Sequence, residues 1–355
     1  MSVFVKTLSD LVALFLQALR LSVVIPSFIL VGLNVALVLP QLEGTQLWHT
    51  LQEQKPLIPV AVIVVFFVLL GAYVLAVLNT PIIRLFEGYP LLSLKIGRRL
   101  RTSNYRRILY LQKRIQELDQ VITQRQVQAT KLPDREDEDL IIKLREIELM
   151  RNAFNDELCW MYPHHQTWRV LPTRLGNAIA AAEEYPGHLY GIDAVTFWPF
   201  LAPILEKSGY ASFVENEKAL LDFPLNMAVV TLFFGMELVY VDVLLRHLVW
   251  PIAWATVVAW LPSLAKLVAT ETLAFCFYLL AIRGAVGWGY TIRSAFVLHK
   301  EDLQQRLGLV KAGGYYRERI LWKQASRFYR DHDVTPGRYI FNFDTSSEKD
   351  RQNQT

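Results

Sequence analysis

The sequence predicts an all-α polytopic membrane protein: two transmembrane hairpins with a cytoplasmic helical domain, built around a coiled-coil hairpin, inserted between them. Three observations predict it. Hydrophobic residues make up 53% of the 355 and gather in long runs. The charged residues, 20% of the chain, fall mostly between those runs. The stretch between the second and third runs repeats its apolar residues with the period of a helix. The 17 Gly have no collagen-like period and there are only two Cys, so with this apolar content a disordered chain, a collagen and a disulfide-stapled scaffold are all excluded.

A helix needs about 20 apolar residues to cross the hydrocarbon core. The first hairpin, residues 1–83, supplies two such runs. Leu21 to Leu39 contains no charge, and with Arg20 snorkelling to the headgroups the span covers about 18–40. The second span, about 57–83, carries no charge and ends in Asn79-Thr80-Pro81, a helix-loosening cluster. The first run is too long for a signal-peptide core, no A-x-A-like site follows it, and a second span comes soon after, so it reads as a retained span.

The second hairpin, 219–290, is punctuated by Glu237, Asp242, Arg246, Lys266, Glu271 and Arg283. Two or three spans fit by length, and orientation decides between them. Nine basic residues and one acidic residue lie between Arg84 and Arg114, and Arg283, Arg293, Lys300 and Arg306 follow the last apolar run. Both segments are therefore expected on the cytoplasmic side, which requires an even number of spans between them. Spans at about 221–245 and 264–285 satisfy this. Residues 248–263, with Trp250, Trp254, Trp260, Pro251 and Pro262, are expected as an interfacial segment broken at its prolines. Both termini are then cytoplasmic, as in a multi-pass protein of a prokaryotic plasma membrane.

The cytoplasmic domain covers 84–218. Ile108, Leu111, Ile115, Leu118 and Ile122 recur at alternating spacings of three and four, the seam of a coiled coil. A break at Lys131-Leu132-Pro133 and an acidic run open a second helix with Leu140, Leu144, Ile147, Phe154 and Leu158, giving a hairpin over 98–160. Residues 291–343 continue as amphipathic helices with a turn at Gly313-Gly314, and 344–355 form a polar tail expected to be disordered.

The most individual stretch runs Pro172-Thr173-Arg174-Leu175-Gly176-Asn177, then Ala181-Ala182-Glu183-Glu184-Tyr185-Pro186, then Tyr190-Gly191-Ile192-Asp193 and Trp198-Pro199. With Arg84-Leu85-Phe86-Glu87-Gly88-Tyr89-Pro90 and Arg293-Ser294-Ala295-Phe296 it resembles a family of prokaryotic four-span membrane proteins with no established activity. The resemblance implies the architecture and transfers no site. The layout alone, two spans, helical domain, two spans, is similar to bestrophin-type channels.

Charges inside a membrane are costly unless paired or wetted. Lys266 is expected to pair with Glu237 or Asp242 at the outer end of the hairpin, leaving Glu271 about two turns inside the fourth span. Arg174, Asn177, Asp193 and Trp198 are expected to anchor a tight loop by hydrogen bonding and packing rather than to catalyse. His164, His165 and His188, with Glu183, Glu184 and Asp193, lack the i, i+3 or i, i+4 pairing of a helical metal site, so no metal or other cofactor is expected. The basic stretch from Arg98 to Arg107 directly follows a span, which makes it an orientation signal on anionic headgroups rather than a nucleic-acid patch. Ala281, Ala285 and Gly289 form a small-residue face suited to close helix packing within the chain or between copies. Cys159 and Cys276 are not expected to pair. No nucleophile elbow, Walker loop or dinucleotide fingerprint is present, so an enzyme is not expected. The expected function is that of a structural or regulatory membrane protein acting through its cytoplasmic helices on itself or on a protein partner. The alternative is an oligomeric ion channel or pore.

Overall fold

The structure is a computed structural model that describes residues 21–42, 60–130, 138–164, 169–245 and 254–332. Among these, 91% are helical and no strand is present. The break at 131–133, His165, residues 248–253 and the polar tail lie outside the described residues.

The helices, in order, are α1 (Leu21–Leu33), α2 (Val60–Glu87), α3 (Lys95–Thr130), α4 (Glu138–Met161), α5 (Arg174–Tyr190), α6 (Ala194–Ser208), α7 (Tyr210–Leu245), α8 (Trp254–Arg306) and α9 (Tyr315–Asp331). Four segments are long and apolar enough to cross a membrane: Leu21–Val38, Ala61–Glu87, Tyr210–Asp242 and Leu261–Arg306. Two expected interruptions are absent. The backbone runs as one helix through Pro81 in α2 and through Pro262 in α8, so residues 254–263 are the start of the fourth apolar helix rather than a separate broken segment. An internal proline removes one backbone hydrogen bond, and an otherwise apolar helix tolerates that where neighbouring groups re-satisfy the freed carbonyl.

The chain forms two compact units. The first comprises Met1–Leu85 and Lys218–Gly284, the second Phe86–Glu217 and Ala285–Thr355. In the first, Pro26 of α1 has no N–H for the carbonyl of Ser22, four residues earlier. Asn226 of α7 takes that carbonyl instead, donating from Nδ2 at 3.0 Å. Ser27 Oγ donates to the Val68 carbonyl of α2 at 2.7 Å, and a Cβ at Gly71 would collide with that hydroxyl, so α1 and α2 meet where only glycine fits. Beyond Leu33 the chain widens into a π turn at Asn34–Val38. Val38, Phe234, Leu238 and Val241 pack there with Leu30 and Leu33.

In the second unit, α3 and α4 run antiparallel. Arg107 holds Glu157 through two hydrogen bonds of 3.0 and 2.7 Å, and further along Arg151 holds Asp119 at 2.9 Å. The seam is thin: Ile108, Leu111 and Leu118 are buried, while Ile115 and Ile122 are half-buried. The main core lies instead among α5, α6, α8 and α9, around the fully buried Phe197, Phe296 and Trp322. Phe197 meets Trp322 and Tyr329 edge-on, at 5.4 and 5.5 Å between ring centroids. The small-residue face of α8 is consumed within the chain. Ala281 and Ala285 are fully buried, and a Cβ at Gly289 would come within 3.0 Å of Ala182.

Candidate functional site

In the first unit α7 carries a row of polar side chains, and most are tied to other helices. Glu237 accepts from Asn34 Nδ2 at 3.0 Å, at the residue that opens the π turn, a distortion often found at functional positions. Asp242 is buried, accepting from Ser263 Oγ at 2.5 Å and facing Lys266 Nζ at 3.4 Å. Of the two partners expected for Lys266, the geometry selects Asp242. Glu271 is exposed on α8 beside Val268 and Phe275, and among the described residues no hydrogen bond or ion pair engages it.

A second polar group was not expected from the sequence. Lys218 Nζ lies 2.6 Å from Asp222 Oδ2, which also accepts from Asn79 Nδ2 at 3.2 Å. Asp222 and Asn226 are almost wholly buried, and Asp222 Oδ1, Asn226 Oδ1 and Asn79 Oδ1 have no partner among the described residues. The signal was present in the i, i+4 spacing of Lys218, Asp222 and Asn226, which places all three on one helix face.

In the second unit the Pro172 to Pro199 stretch builds two helix starts. Thr173 caps α5 by accepting from Gly176 N at 3.0 Å, and its hydroxyl donates to the Glu87 carbonyl at 2.9 Å. Fully buried Asn177 accepts from Leu171 N at 2.7 Å and donates to the carbonyls of Leu171 and Thr173 at 3.0 and 2.8 Å, closing the loop before α5 onto itself. Asp193 caps α6 through the amides of Val195 and Thr196 and meets Arg330 of α9 at 3.1 Å. Gly191, at φ +82°, ends α5 in the left-handed region, and a Cβ there would strike the Arg319 carbonyl of α9. Trp198 packs against the main core beside Phe296. Arg174 points to solvent and makes no hydrogen bond or ion pair among the described residues, because the anchoring of this loop falls to its neighbours Thr173 and Asn177.

Arg293, in sequence a positive charge after a span and part of the Arg293-Ser294-Ala295-Phe296 landmark, lines a cleft of the second unit. Arg293 of α8 is 6% exposed. Its guanidinium stacks over Trp160 at 3.9 Å and Tyr185 at 4.7 Å, while Nη2 donates to the carbonyls of Cys159 and Ala181 at 2.7 and 3.1 Å. Nε has no partner, and no carboxylate pairs with the group among the described residues. Arg293 forms part of the wall of a cleft of about 650 Å³ between α3, α4, α5 and α8. Gln112, Gln116, Asn155, Tyr162 and His164 supply polar groups, and Ile115, Leu158 and Leu189 apolar surface.

A second cleft of about 520 Å³ lies between α5 and α9, sharing His164 and His188 with the first. The two imidazoles are in contact, tilted by 52° with centroids 3.6 Å apart. Glu183 and Glu184 face Arg319, Lys323, Arg327 and Arg330 here. Burial pushes the Glu184 carboxyl up to about 7, against the opposing pull of Arg169, whose Nε is 3.6 Å away. Burial raises Glu183 too. Among the described residues no three His, Cys, Asp or Glu side chains gather as a metal site.

On α4, Ile141, Ile142, Leu149 and Met150 are exposed, Leu149 by 69%. Ile142 and Leu149 lie about two helical turns apart, and the charges between them run Lys143 and Arg145, then Glu146 and Glu148, two positive followed by two negative. No family model, curated protein or solved structure matches the chain.

Proposed function

We propose that the chain is a four-span membrane protein whose helical domain faces the cytoplasm together with both termini, and that it works as a structural or regulatory protein by self-association through that domain. The exposed apolar strip on α4 carries the reading. Leucine and isoleucine at such exposure on a charged helix have no lipid to face in an aqueous domain, and the flanking charges, two positive before two negative, are complementary to those of a second copy laid antiparallel. The pairings in the first unit support the membrane assignment. Glu237 with Asn34, Asp242 with Lys266, and Asp222 with Asn79 each join residues that the span boundaries put at the same depth. Their use as ties between helices gives the hairpins the character of an anchor.

The test is the subunit count in detergent, from scattering mass, for the wild type and for Leu149→Glu with Met150→Glu. An oligomer that falls to a monomer on substitution is expected; a wild-type monomer overturns the reading. Thiol labelling of single cysteines placed at Gln46 and Gln128 tests the topology, because labelling of both from one side contradicts four spans.

A second reading, an oligomeric pore, is favoured by Glu271. A carboxylate among lipid-facing side chains costs about 2.5–3.5 kcal/mol at mid-membrane, and that cost is relieved where copies surround a water-filled path. Planar-bilayer conductance that is unchanged by Glu271→Gln removes the residue from any such path.

A further inference from the structure

We propose that the cleft at Arg293 binds a small organic anion, its acid group pairing with the guanidinium and its apolar body lying against Ile115, Leu158 and Leu189. The inference stands on the second unit alone and depends on neither the membrane topology nor self-association.

A buried cation is costly unless an opposite charge compensates it. At Arg293 the two carbonyls and two aromatic faces fix the orientation of the guanidinium and offset part of its lost hydration, but none of them carries a charge. The carboxylate that the cleft itself contains, Asp119, is engaged by Arg151 at 2.9 Å. The site therefore presents a held, desolvated, uncompensated cation with Nε–H still to give, which is what a carboxylate or phosphate group recognises. The cleft volume, about 650 Å³, lies in the range of small-molecule pockets. Its lining is mixed, with the carboxamides of Gln112, Gln116 and Asn155 set among apolar side chains, so an inorganic ion would leave most of the surface without a partner. The acid group can come from a soluble metabolite or from a lipid headgroup, and the experiment separates the two.

Cys159 reports on occupancy because it lines the same cleft and its side chain is exposed. The full-length protein in detergent, carrying Cys276→Ser, has Cys159 as its one thiol. Its maleimide reaction rate is followed against sodium benzoate, phenyl phosphate, inorganic phosphate and phosphatidylglycerol micelles, with sodium chloride matching ionic strength. Saturable protection by benzoate or phenyl phosphate is expected, slowing the reaction about tenfold at ten times the dissociation constant by mass action. Arg293→Gln should abolish this protection. Where that variant fails to fold, Gln112→Leu with Asn155→Leu should move protection to higher concentration. Protection by phosphatidylglycerol alone supports the site with a lipid as its source. An unchanged rate with every probe, or equal protection in Arg293→Gln, overturns the proposal, and equal protection by inorganic phosphate overturns the part assigned to an apolar body.

Discussion

Replacing Asn177 tests whether the loop before α5 is held by one side chain. Asn177→Ala removes three hydrogen bonds and leaves the N–H of buried Leu171 without its partner, while the Leu171 carbonyl keeps Asn104 Nδ2 at 3.0 Å. Each bond contributes about 1 kcal/mol net, and an orphaned buried group costs about 1–3 kcal/mol, so a total loss of about 3 kcal/mol is expected after partial relaxation. In a unit of roughly 200 residues that lowers the unfolding temperature by about 6–12 °C. Asn177→Asp is the sharper variant. It keeps the acceptor for Leu171 N but sets a carboxylate within about 3 Å of two carbonyl oxygens. The folded state then favours the protonated acid, so this variant should be least stable above neutral pH and recover as pH falls. The assay is thermal unfolding by intrinsic fluorescence in detergent at pH 5 and pH 8. A shift under about 1 °C for Asn177→Ala, or an Asp variant as stable as wild type at pH 8, would refute the assignment of donor and acceptor.

Two further outcomes follow from buried charge. The Glu184 carboxyl, raised to about 7 in the fold from an ordinary value of 4.5, binds its proton more tightly folded than unfolded, so stability is full below 4.5 and is lost as pH rises towards 7. Glu184→Gln removes this loss, and its unfolding temperature should rise relative to wild type between pH 5 and pH 8; parallel curves would contradict it. For Asp242 and Lys266 a double-mutant cycle with Asp242→Asn and Lys266→Met should give a coupling of about 0.5–1 kcal/mol, modest because Lys266 is 41% exposed. A coupling indistinguishable from zero in detergent unfolding would show that Lys266 contributes nothing to holding Asp242.

What the sequence made legible follows from which forces act locally. The first two apolar helices are marked by the absence of charge over a bilayer's thickness, and α3 by its spacing, both properties of a single segment. The limits of α8 were not readable from Pro262, since a proline reveals a lost hydrogen bond but not whether the neighbours compensate for it. Asn177 and Asp193 stood out because loop anchors are short polar residues beside glycine and proline. Arg174, equally prominent, turned out to face water, and nothing in its flanks separates it from Thr173. Arg293 was hidden for a different reason. A basic residue after an apolar run is commonplace, and its burial depends on Trp160 and Tyr185, more than a hundred positions away in the chain.

The tie from Arg293 to the Cys159 carbonyl bears on motion as well as binding. Cys159 lies in the last turn of α4, where backbone carbonyls have no partner of their own within the helix. A helix end in that position ordinarily frays in water independently of the rest. Here a side chain of α8 closes it, and the same guanidinium grips α5 at Ala181. The end of α4 and the middle of α5 therefore open only when α8 lets go, and amide exchange in these three places should proceed at a common rate, as one cooperative unit.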